Sequence, residues 1–594
     1  MKPIYALSAL LALFLVIDSG CKDPSETTED AVIFELNRPL NEAVLQIDAE
    51  PDRLNPALST STYARIVANT VFQYLLNIDP QSLEIVPQLV KSRPVIATIT
   101  DGPYAGGMAY TFEIHDEAVW DNGSPVTAED YIFTLKAVLN PRVPAPAYRA
   151  YLSFIKEVQV DPDNPRRFTV LANKKYILGE EAIGAALPVF PAYLYDPQGL
   201  LKDFSLAELS DEAKAAELAQ NDSRLQQFAD LFTSPKFSRE KEGVSGCGPY
   251  RFESWETGQR LVVAKKENYW GEGLVEKYPA LAGFPDKFIF LPITDANAAV
   301  TALKDLQIDA MANISPNDFD DLQKNEFTAK RYNFYSPPLL GNTFIYINTR
   351  LPKLSDKRVR RALAYAVNVE EIIETVYNGL GSPYASPVHP SFSYYNNDLK
   401  PIPYDPEKAR ELLKEAGWTD TNNNGIVDKV INGQLEELSL NYKIVAGRDN
   451  IQNVALLVQE SAKKAGIDIQ IEAKEFAVLA DDFKRRDFEL APWGKSISPS
   501  LWEPKQDFHS EGDDRTGFAT AESDALIDQI QVTLDEAERT RLYKKLQAML
   551  YDEMPLVYLM VPTSRIAIHK RFEITPTPIF PGYFPGQLKL RQRE

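Results

Sequence analysis

Residues 355–368, SDKRVRRALAYAVN, indicate the class of this fold because they describe a helix with one apolar face. Its apolar side chains recur at the three- and four-residue spacing of a helix: Val359, Ala362, Leu363, Ala366 and Val367. Either Ser355 or Asp356 can accept the free backbone N–H groups of the first turn. We therefore predict an amphipathic helix that packs this face on a protein core.

A second helix is predicted at 405–418, DPEKARELLKEAGW, by its end signals as well as its periodicity. Asp405 is a suitable N-cap, Pro406 suits the first turn, and Gly417 suits the left-handed backbone that ends many helices. Its apolar positions again share one face: Ala409, Leu412, Leu413 and Ala416. The chain around 355–418 thus contains at least two helices that require a common core.

Strand patterns alternate with helical ones elsewhere in the chain. Strands are predicted at 108–116, 166–173 and 467–473, and helices at 124–140 and 450–466. Thr127 and Asp130 have the spacing of a capping box for one of these helices. The Ala- and Glu-rich stretch from about 201 to 242 is predicted to be a surface helical insertion. This alternation predicts an α/β fold.

The N-terminus has the pattern of an export signal. Lys2 precedes an apolar run from Ile4 to Ile17, which is long enough for a signal peptide but too short for a bilayer, which needs about 20 apolar residues. The run ends at Ser19-Gly20-Cys21, which resembles a bacterial lipobox. Asp18 departs from that motif, so a plain secretory signal and an uncleaved anchor remain alternatives.

The lipobox resemblance implies that residues 1–20 are removed and that Cys21 is lipidated. Residues 21–30 are polar and acidic, so they are expected to form a flexible tether. The lysine and acids after Cys21 also loosely resemble the surface-display signal of some Bacteroidetes-type lipoproteins. The predicted location is the periplasm, with lipid anchoring to the cell envelope and surface display as a further alternative.

Composition narrows the classes of partner. The chain has 594 residues, 44% of them hydrophobic and 11% aromatic, as expected for a globular protein of two to four domains. The formal net charge of −21 repels phosphate backbones, so nucleic acid is not an expected partner. With Cys21 committed to lipid, Cys247 has no partner for an intramolecular disulfide.

Catalytic motifs are not found in the sequence. The four histidines, His115, His389, His509 and His569, have no metal-ligand spacing among themselves or with Cys247. No GxSxG, HExxH or P-loop motif occurs. We therefore predict a protein that is not an enzyme and that has no cofactor.

The segment 420–428, DTNNNGIVD, has two interpretations. Its oxygen-bearing side chains have the spacing of calcium ligands: Asp420, Asn422, Asn424 and Asp428. Position twelve of such a loop is Ile431 rather than the bidentate glutamate that an EF-hand needs. An Asn-Gly hairpin turn explains the same residues without an ion. We predict no metal site and keep calcium as the alternative.

Several ordered stretches resemble one protein family. They are 110–141, 246–271, 344–373, 404–418 and 539–560, which include GCGPYRFESWETGQRLVVAKKENYWG and FIYINTRLPKLSDKRVRRALAYAVNVEEII. Their order and spacing are similar to those of the peptide/nickel class of extracellular solute-binding proteins of ABC importers. The resemblance covers about 42–594.

This resemblance implies a two-lobed periplasmic-binding-protein fold with an extra domain inserted in the first lobe. The implied division is 31–75 with 187–290 and 561–594 for lobe I, 76–186 for the extra domain, and 291–560 for lobe II. The hinge crossings would then lie near Leu291 to Ile293 and Tyr558 to Val561. Closing such a hinge on a solute would bury it between the lobes.

The resemblance also nominates ligand-binding residues. They are Thr60, Ser61 and Thr62 in the loop after the first strand, Tyr148 in the extra domain, and Trp493, Gly494 and Ser496 in lobe II. Each could equally be a surface polar group or a core aromatic. Peptide-binding relatives have an aspartate where Ser496 stands, so recognition of a peptide α-amine through that position is in doubt.

The implied function is capture of oligopeptides or peptide-like solutes and their delivery to an ABC import permease. The protein would act as a monomer that contacts the membrane only through its lipid. Two alternatives remain from the sequence: a secreted hydrolase acting on peptides or glycans, and a binding protein for a sugar or a metal chelate.

Overall fold

The computed structural model describes residues 33–34 and 36–592, so the predicted signal peptide, Cys21 and the tether lie outside the described residues. In chain order the strands are β1 (Glu42–Ile47), β2 (Leu76–Ile78), β3 (Ile85–Pro87), β4 (Val95–Thr98), β5 (Met108–Glu113), β6 (Ile155–Asp161), β7 (Asn164–Ala172), β8 (Tyr250–Glu256), β9 (Arg260–Lys265), β10 (Lys287–Pro292), β11 (Ala310–Met311), β12 (Tyr332–Tyr335), β13 (Gly341–Ile347), β14 (Gly381–Pro383), β15 (Asp428–Ile431), β16 (Gln434–Glu437), β17 (Ser439–Val445), β18 (Asp468–Lys474), β19 (Leu490–Ser496), β20 (Leu556–Pro562), β21 (Ile566–His569), β22 (Phe572–Glu573) and β23 (Lys589–Leu590).

Helices separate most of these strands. The α-helices are Thr62–Val71, Ala128–Leu139, Pro146–Leu152, Gly179–Gly184, Ala192–Tyr195, Leu206–Leu209, Glu212–Asn221, Arg224–Phe232, Lys236–Arg239, Ala296–Lys304, Pro316–Lys324, Glu326–Arg331, Lys357–Ala366, Val369–Tyr377, Pro406–Glu415, Asp449–Lys463, Phe476–Arg485, Lys505–Phe508, Ala521–Val532 and Glu536–Glu553. Short 3₁₀ helices lie at Glu272–Leu274, Pro279–Leu281 and Pro585–Gln587. The predicted α/β class is confirmed.

Two large sheets, each with its own hydrophobic core, organise the described chain. The first has the order β12-β21-β11-β1-β10-β9-β8, and the second has the order β14-β20-β13-β19-β17-β18. In the first sheet β1 runs parallel to both neighbours, with Leu45 opposite Phe290 on one side and Ala310 on the other. Because both faces of these strands are covered, their apolar side chains are buried.

The second sheet is covered by the helices that the sequence predicts. Asp356 caps the helix Lys357–Ala366 by accepting a hydrogen bond from the backbone N–H of Arg358 at 2.8 Å. Asp405 caps the helix Pro406–Glu415 through Lys408, and Gly417 takes the predicted left-handed conformation with φ of +84°. These end signals and the buried apolar faces are confirmed.

A separate four-stranded sheet, β4-β5-β7-β6, forms between the first and second segments of the first lobe. The helix Ala128–Leu139 packs on it and begins at the predicted capping box of Thr127 and Asp130. Asp130 is buried, and besides capping the helix it accepts hydrogen bonds from Trp120 and the backbone of Ala192. The Asp130 carboxylate therefore caps one helix and also connects it to the segment at Ala192, where the chain returns to the first lobe.

The structure corrects the expected boundary at residue 291. β11 and β12 belong to the first sheet, so the chain leaves this sheet after Tyr335 and enters the second at Gly341. It returns between Pro562 and Ile566, just after the expected crossing. The physical reason is that β1 needs a hydrogen-bonded neighbour on each side. The helix Ala296–Lys304 carries the chain over from β10 to provide the second neighbour, β11.

The stretch 201–242 is not a surface insertion. Its helix Arg224–Phe232 buries Leu225, Phe228 and Phe232 at helical spacing in the first-lobe core. Phe237 in the next turn stacks on Tyr195, with ring centroids 4.4 Å apart. Most glutamates of this stretch face solvent, whereas Ala215 and Ala229 are buried. Within residues 33–34 and 36–592, no helix is both long and apolar enough to cross a membrane.

Candidate functional site

A cavity of about 930 Å³ lies between the two lobes. One wall comes from the first lobe, mainly from the helix Thr62–Val71 and from the segment 578–586. The other wall comes from residues 339–340, where the chain crosses between the sheets, and from residues 496–499 of the second lobe. The volume is within the range that encloses a small ligand, roughly 300 to 1,000 Å³.

The helix Thr62–Val71 presents its N-terminal end to the cavity. Its N-cap is Ser61, whose side chain accepts a hydrogen bond from the backbone N–H of Ala64 at 3.3 Å. Thr62 follows as the first helical residue and is exposed. Since the first turn carries no acidic residue, the positive end of the helix dipole is not neutralised locally.

Aromatic residues form much of the first-lobe wall: Tyr63, Tyr74, Tyr250, Phe580, Tyr583 and Phe584. Tyr63 donates its hydroxyl to the carboxylate of Asp48 at 2.8 Å and packs edge-on against Phe580. Burial raises the pKa of Tyr63, and the hydrogen bond to Asp48 raises it further. These rings therefore act as neutral, rigid contact surface at physiological pH.

The second-lobe wall is held close to the chain crossings. The backbone N–H of Ile497 donates to the carbonyl of Leu340 at 3.0 Å. The N–H of Leu340 in turn donates to the carbonyl of Pro578, in the first-lobe wall, at 3.0 Å. A continuous pair of backbone hydrogen bonds thus joins the two walls where the chain passes between the sheets.

The structure brings three of the nominated ligand residues together at this cavity: Ser61, Thr62 and Ser496. Ser496 is the last residue of β19, is paired with Gly341, and is exposed. Thr60 is also exposed, but it is not one of the residues that line the cavity. The nominated loop therefore reaches the cleft at the start of the helix rather than before it.

The other nominated residues lie outside the cavity lining. The hydroxyl of Tyr148 lies 3.4 Å from the carbonyl of Pro56, and its ring packs on the first-lobe core. Trp493 packs edge-on against Phe483, with ring centroids 5.0 Å apart, and the guanidinium of Arg515 lies 5.3 Å from the tryptophan ring centroid. Gly494 is exposed next to it. In this structure Tyr148 and Trp493 are positioned as packing residues.

Several lining residues were not anticipated from the sequence, among them Arg65, Asn69, Tyr74 and Tyr250. Arg65 and Asn69 lie on the same face of the helix because they are four residues apart. That spacing from Ser61 is the one signal that could have identified them. Tyr250 and the segment 578–586 come from distant parts of the chain, and no local pattern connects them to this helix.

Two acids that could have replaced an aspartate at position 496 are engaged elsewhere. Asp507 forms an ion pair with Lys495. Glu503 accepts a hydrogen bond from the side chain of Gln531 at 3.1 Å. Neither acid lines the cavity.

A smaller cavity of about 180 Å³ lies between the extra domain and the second lobe. Its walls include Tyr176 and Glu181 from the extra domain and Tyr394 and Leu501 from the second lobe. The backbone N–H of Ile177 donates to the carbonyl of Gln531 at 3.2 Å across this contact. The extra domain is therefore packed against the second lobe as well as the first.

The titratable groups with catalytic potential are dispersed and buried. Burial raises the pKa of the Cys247 thiol to about 12 and lowers the pKa of His389 to about 4. Burial also lowers the pKa of His569, to about 3. In the described part of the chain, no group of three or more His, Cys, Asp or Glu side chains is placed to hold a metal ion.

The segment 420–428 forms the turn before the β15–β16 hairpin. Asp420 accepts hydrogen bonds from the backbone N–H groups of Asn424 and Gly425, at 3.2 and 2.9 Å. Asp428 is buried and accepts from both the backbone and the hydroxyl of Thr421. The side-chain amide of Asn424 donates to Glu437 on β16 at 2.6 Å. Protein donors thus satisfy these carboxylates without an ion.

Comparison with known proteins identifies the family. Residues 84–511 match the bacterial extracellular solute-binding proteins, family 5 middle region. The oligopeptide-binding protein AppA of Bacillus subtilis (strain 168) is 26% identical over 577 residues, covering 95% of this chain and 94% of that protein. The glutathione-binding protein GsiB of Salmonella typhi is 25% identical over 540 residues, covering 88% of this chain and 89% of that protein.

Solved structures show the same two-lobed fold. AppA from Bacillus subtilis in complex with a nonapeptide aligns with a TM-score of 0.58 at 23% identity, over 93% of this chain and 99% of that chain. NikA from Brucella suis in complex with Fe(III)-EDTA aligns with a TM-score of 0.69 at 20% identity, over 93% of this chain and 100% of that chain. The predicted fold class is confirmed by these alignments.

Proposed function

Because the chain belongs to the bacterial extracellular solute-binding proteins of family 5, we propose that it captures oligopeptides or peptide-like solutes and delivers them to an ABC import permease. The observation that carries the proposal is the cavity of about 930 Å³ between two lobes that have separate cores. AppA is an oligopeptide-binding protein, which supports peptides as the solute class.

The proposed mechanism is hinge closure around the solute. We place the hinge at residues 336–340 and 563–565, where the chain passes between the sheets, and retain 76–186 as the extra domain. Closure is favoured by solute because burying ligand surface stabilises the shut form more than the open one. The protein is proposed to act as a monomer, without chemical conversion of the solute.

The protein is proposed to be held at the cell envelope. The apolar run that ends at Cys21 supports a lipid anchor in the cell envelope, with residues 21–30 as the tether. Such an anchor would keep the receptor close to a membrane-bound permease.

The test uses the purified mature chain and a synthetic pool of peptides four to nine residues long with randomised neutral side chains. Native mass spectrometry identifies retained peptides, and thermal unfolding measures stabilisation. Ligand at a hundredfold excess over Kd should stabilise the protein by about 2.7 kcal/mol. Peptides that are recovered cleaved after prolonged incubation would instead support the hydrolase alternative.

A steric variant locates the binding to the cleft. Ser496→Trp places a large ring at an exposed cavity position and should abolish peptide retention while the protein stays folded. Ser355→Trp, at an exposed loop position in the same lobe, is the matched control and should retain peptide. Unchanged retention by Ser496→Trp would place the binding site elsewhere.

A further inference from the structure

The charge distribution of the cleft is one-sided. Among the described residues that line the cavity, Arg65 is the sole charged side chain, and no aspartate or glutamate is present. The rest of the lining is aromatic, aliphatic or neutral polar. A solute in this cavity therefore meets one formal positive charge and no formal negative charge.

The side chain of Arg65 has no acidic partner among the described residues. Its side chain is exposed and makes no hydrogen bond or ion pair within the described chain. This contrasts with Arg53, an exposed arginine twelve positions earlier, which pairs with Asp52 at 3.0 Å. A guanidinium with five donors is left available at the wall of a ligand-sized cavity.

The carboxylate of Asp48, which is hydrogen-bonded to two residues of this wall, is already satisfied. Asp48 accepts hydrogen bonds from the hydroxyl of Tyr63 at 2.8 Å and from the side-chain amide of Asn313 at 2.6 Å. Gln46 donates to its other oxygen at 2.9 Å. Tyr63 and Asn313 line the cavity, whereas Asp48 does not. These neutral groups line the cavity in place of Asp48, so a solute makes no direct contact with that carboxylate.

The backbone adds to the positive character. Arg65 lies one turn from the N-cap Ser61, at the end of the helix whose dipole is positive. No acidic residue occurs in the first turn to offset it. Guanidinium and helix terminus therefore favour the same kind of ligand group, an anion.

We propose that Arg65 is the anchor for a carboxylate of the bound solute, so that this protein selects peptide-like solutes with a free carboxylate and does not require a free α-amine. The inference rests on the proposed peptide-binding function. A planar guanidinium can bind a carboxylate through two parallel hydrogen bonds, which confer direction as well as attraction.

The cavity lining has no aspartate or glutamate among the described residues, which is why a free α-amine is not required. An α-ammonium group carried into a closed cleft must be paired because an unpaired buried charge is strongly unfavourable. Ser496 offers only a neutral acceptor, while Asp507 and Glu503 are engaged with Lys495 and Gln531. Blocking the amine therefore removes no charge pair.

The experiment compares four end-group forms of the same peptide pool on the purified mature chain: free, N-acetylated, C-amidated and doubly blocked. The dissociation constants of retained peptides are measured by calorimetry. N-acetylation should change affinity less than about threefold, whereas C-amidation should weaken it about tenfold or more, the scale of a charge-assisted hydrogen bond.

Variants assign the effect to one side chain. In Arg65→Gln, free and amidated peptides should bind alike, both as weakly as amidated peptide binds the unchanged protein. Arg65→Lys keeps the charge and should retain part of the preference for a free carboxylate. Arg53→Gln is the matched control and should behave like the unchanged protein. Thermal unfolding should change little in Arg65→Gln, since the side chain makes no hydrogen bond or ion pair to lose.

A second pool distinguishes the two sources of carboxylate. It is C-amidated and carries one glutamate at varied positions. Recovery of affinity in this pool assigns the anchor to an acidic side chain, and no recovery assigns it to the C-terminus; both results uphold the inference. Equal affinity of free and amidated peptides, or a tenfold loss on N-acetylation, would overturn it. Failure of every pool to bind would instead speak against the proposed function.

Discussion

The guanidinium of Arg571 lies 2.5 Å from the carboxylate of Asp309, joining two segments that are 262 residues apart. Both side chains are almost completely buried. Asp309 also accepts from the backbone N–H of Val44 at 2.8 Å, and Arg571 donates to the carbonyls of Leu40 and Glu42. Arg38 also pairs with Asp309, so the N-terminal, middle and C-terminal segments of the first lobe meet at one buried carboxylate that two arginines share.

This pair predicts a large stability effect. Asp309→Ala should lower the free energy of unfolding by about 3 to 5 kcal/mol because it leaves the Arg571 guanidinium buried without its counter-ion. Urea denaturation of the mature chain measures the change. Asp320→Ala, which removes an exposed pair with Lys324, is the control and should cost less than about 1 kcal/mol. Equal losses in the two variants would contradict the prediction.

Glu181 should make stability depend on pH. It lies in the smaller cavity, where its Oε2 atom is buried without a hydrogen-bond partner, and burial raises its pKa to about 7. The raised pKa means that its contribution to stability is complete below about pH 4.5, the unfolded-state value, and is lost as the pH rises through 7.

Glu181→Gln should therefore raise the free energy of unfolding, relative to the unchanged protein, more at pH 8 than at pH 5. The difference between the two pH values should be about 2 kcal/mol, measured by urea denaturation. Tyr151, Tyr176 and Tyr394 face this group and stay neutral over the range. The neighbouring Glu180, paired with Arg93 at 2.7 Å, gives the control variant Glu180→Gln. A stability change in Glu181→Gln that is the same at both pH values would refute the assignment.

The turn at 420–428 should be stable without an ion. Since the carboxylates of Asp420 and Asp428 already accept protein hydrogen bonds, we expect EGTA to leave the Tm unchanged. Added calcium should likewise have no effect. A Tm that falls on chelation in the unchanged protein, but not in Asp420→Ala, would establish the calcium alternative.

The proposed anchor gives a cellular prediction. Cys21→Ser should remove the acceptor of the lipid and release the protein from the membrane fraction. Metabolic labelling with a fatty acid analogue, followed by membrane fractionation, measures both effects. Cys247→Ser, at a buried position, is the control for thiol labelling and should leave fatty acid incorporation intact. Label on the Cys21→Ser protein would disprove the lipobox interpretation.

Much of the fold could be predicted from local patterns. The helices that begin after Asp356 and Asp405 were identifiable because capping, periodicity and a terminal glycine all act within one or two turns. The strands at 108–116 and 166–173 were identifiable for the same reason, since alternation of burial is a local property. Tertiary packing is compatible with these locally specified helices and strands.

The lobe boundary could not be predicted in the same way. Residues 310–335 follow the expected crossing in sequence, yet β11 pairs with β1, more than 260 residues earlier. The helix Arg224–Phe232 shows the same limit, because it belongs to an Ala- and Glu-rich stretch that reads as surface while Phe228 and Phe232 have no exposed surface. Which face of a helix is buried depends on which distant segments of the chain pack against it.

By itself, the sequence determined the α/β class, the helices that begin after Asp356 and Asp405, and the family resemblance, which nominated Ser61, Thr62 and Ser496 among seven ligand-binding residues. Only the tertiary structure decided which lobe takes residues 310–335 and that Trp493 packs against Phe483 and Arg515. It also decided that Arg65 is the only charged side chain among the described residues that line the cavity. The physical reason is the sequence separation over which the interactions act. Helix and strand signals depend on neighbours a few residues away, whereas a cavity and its charge depend on side chains that folding brings together from distant segments.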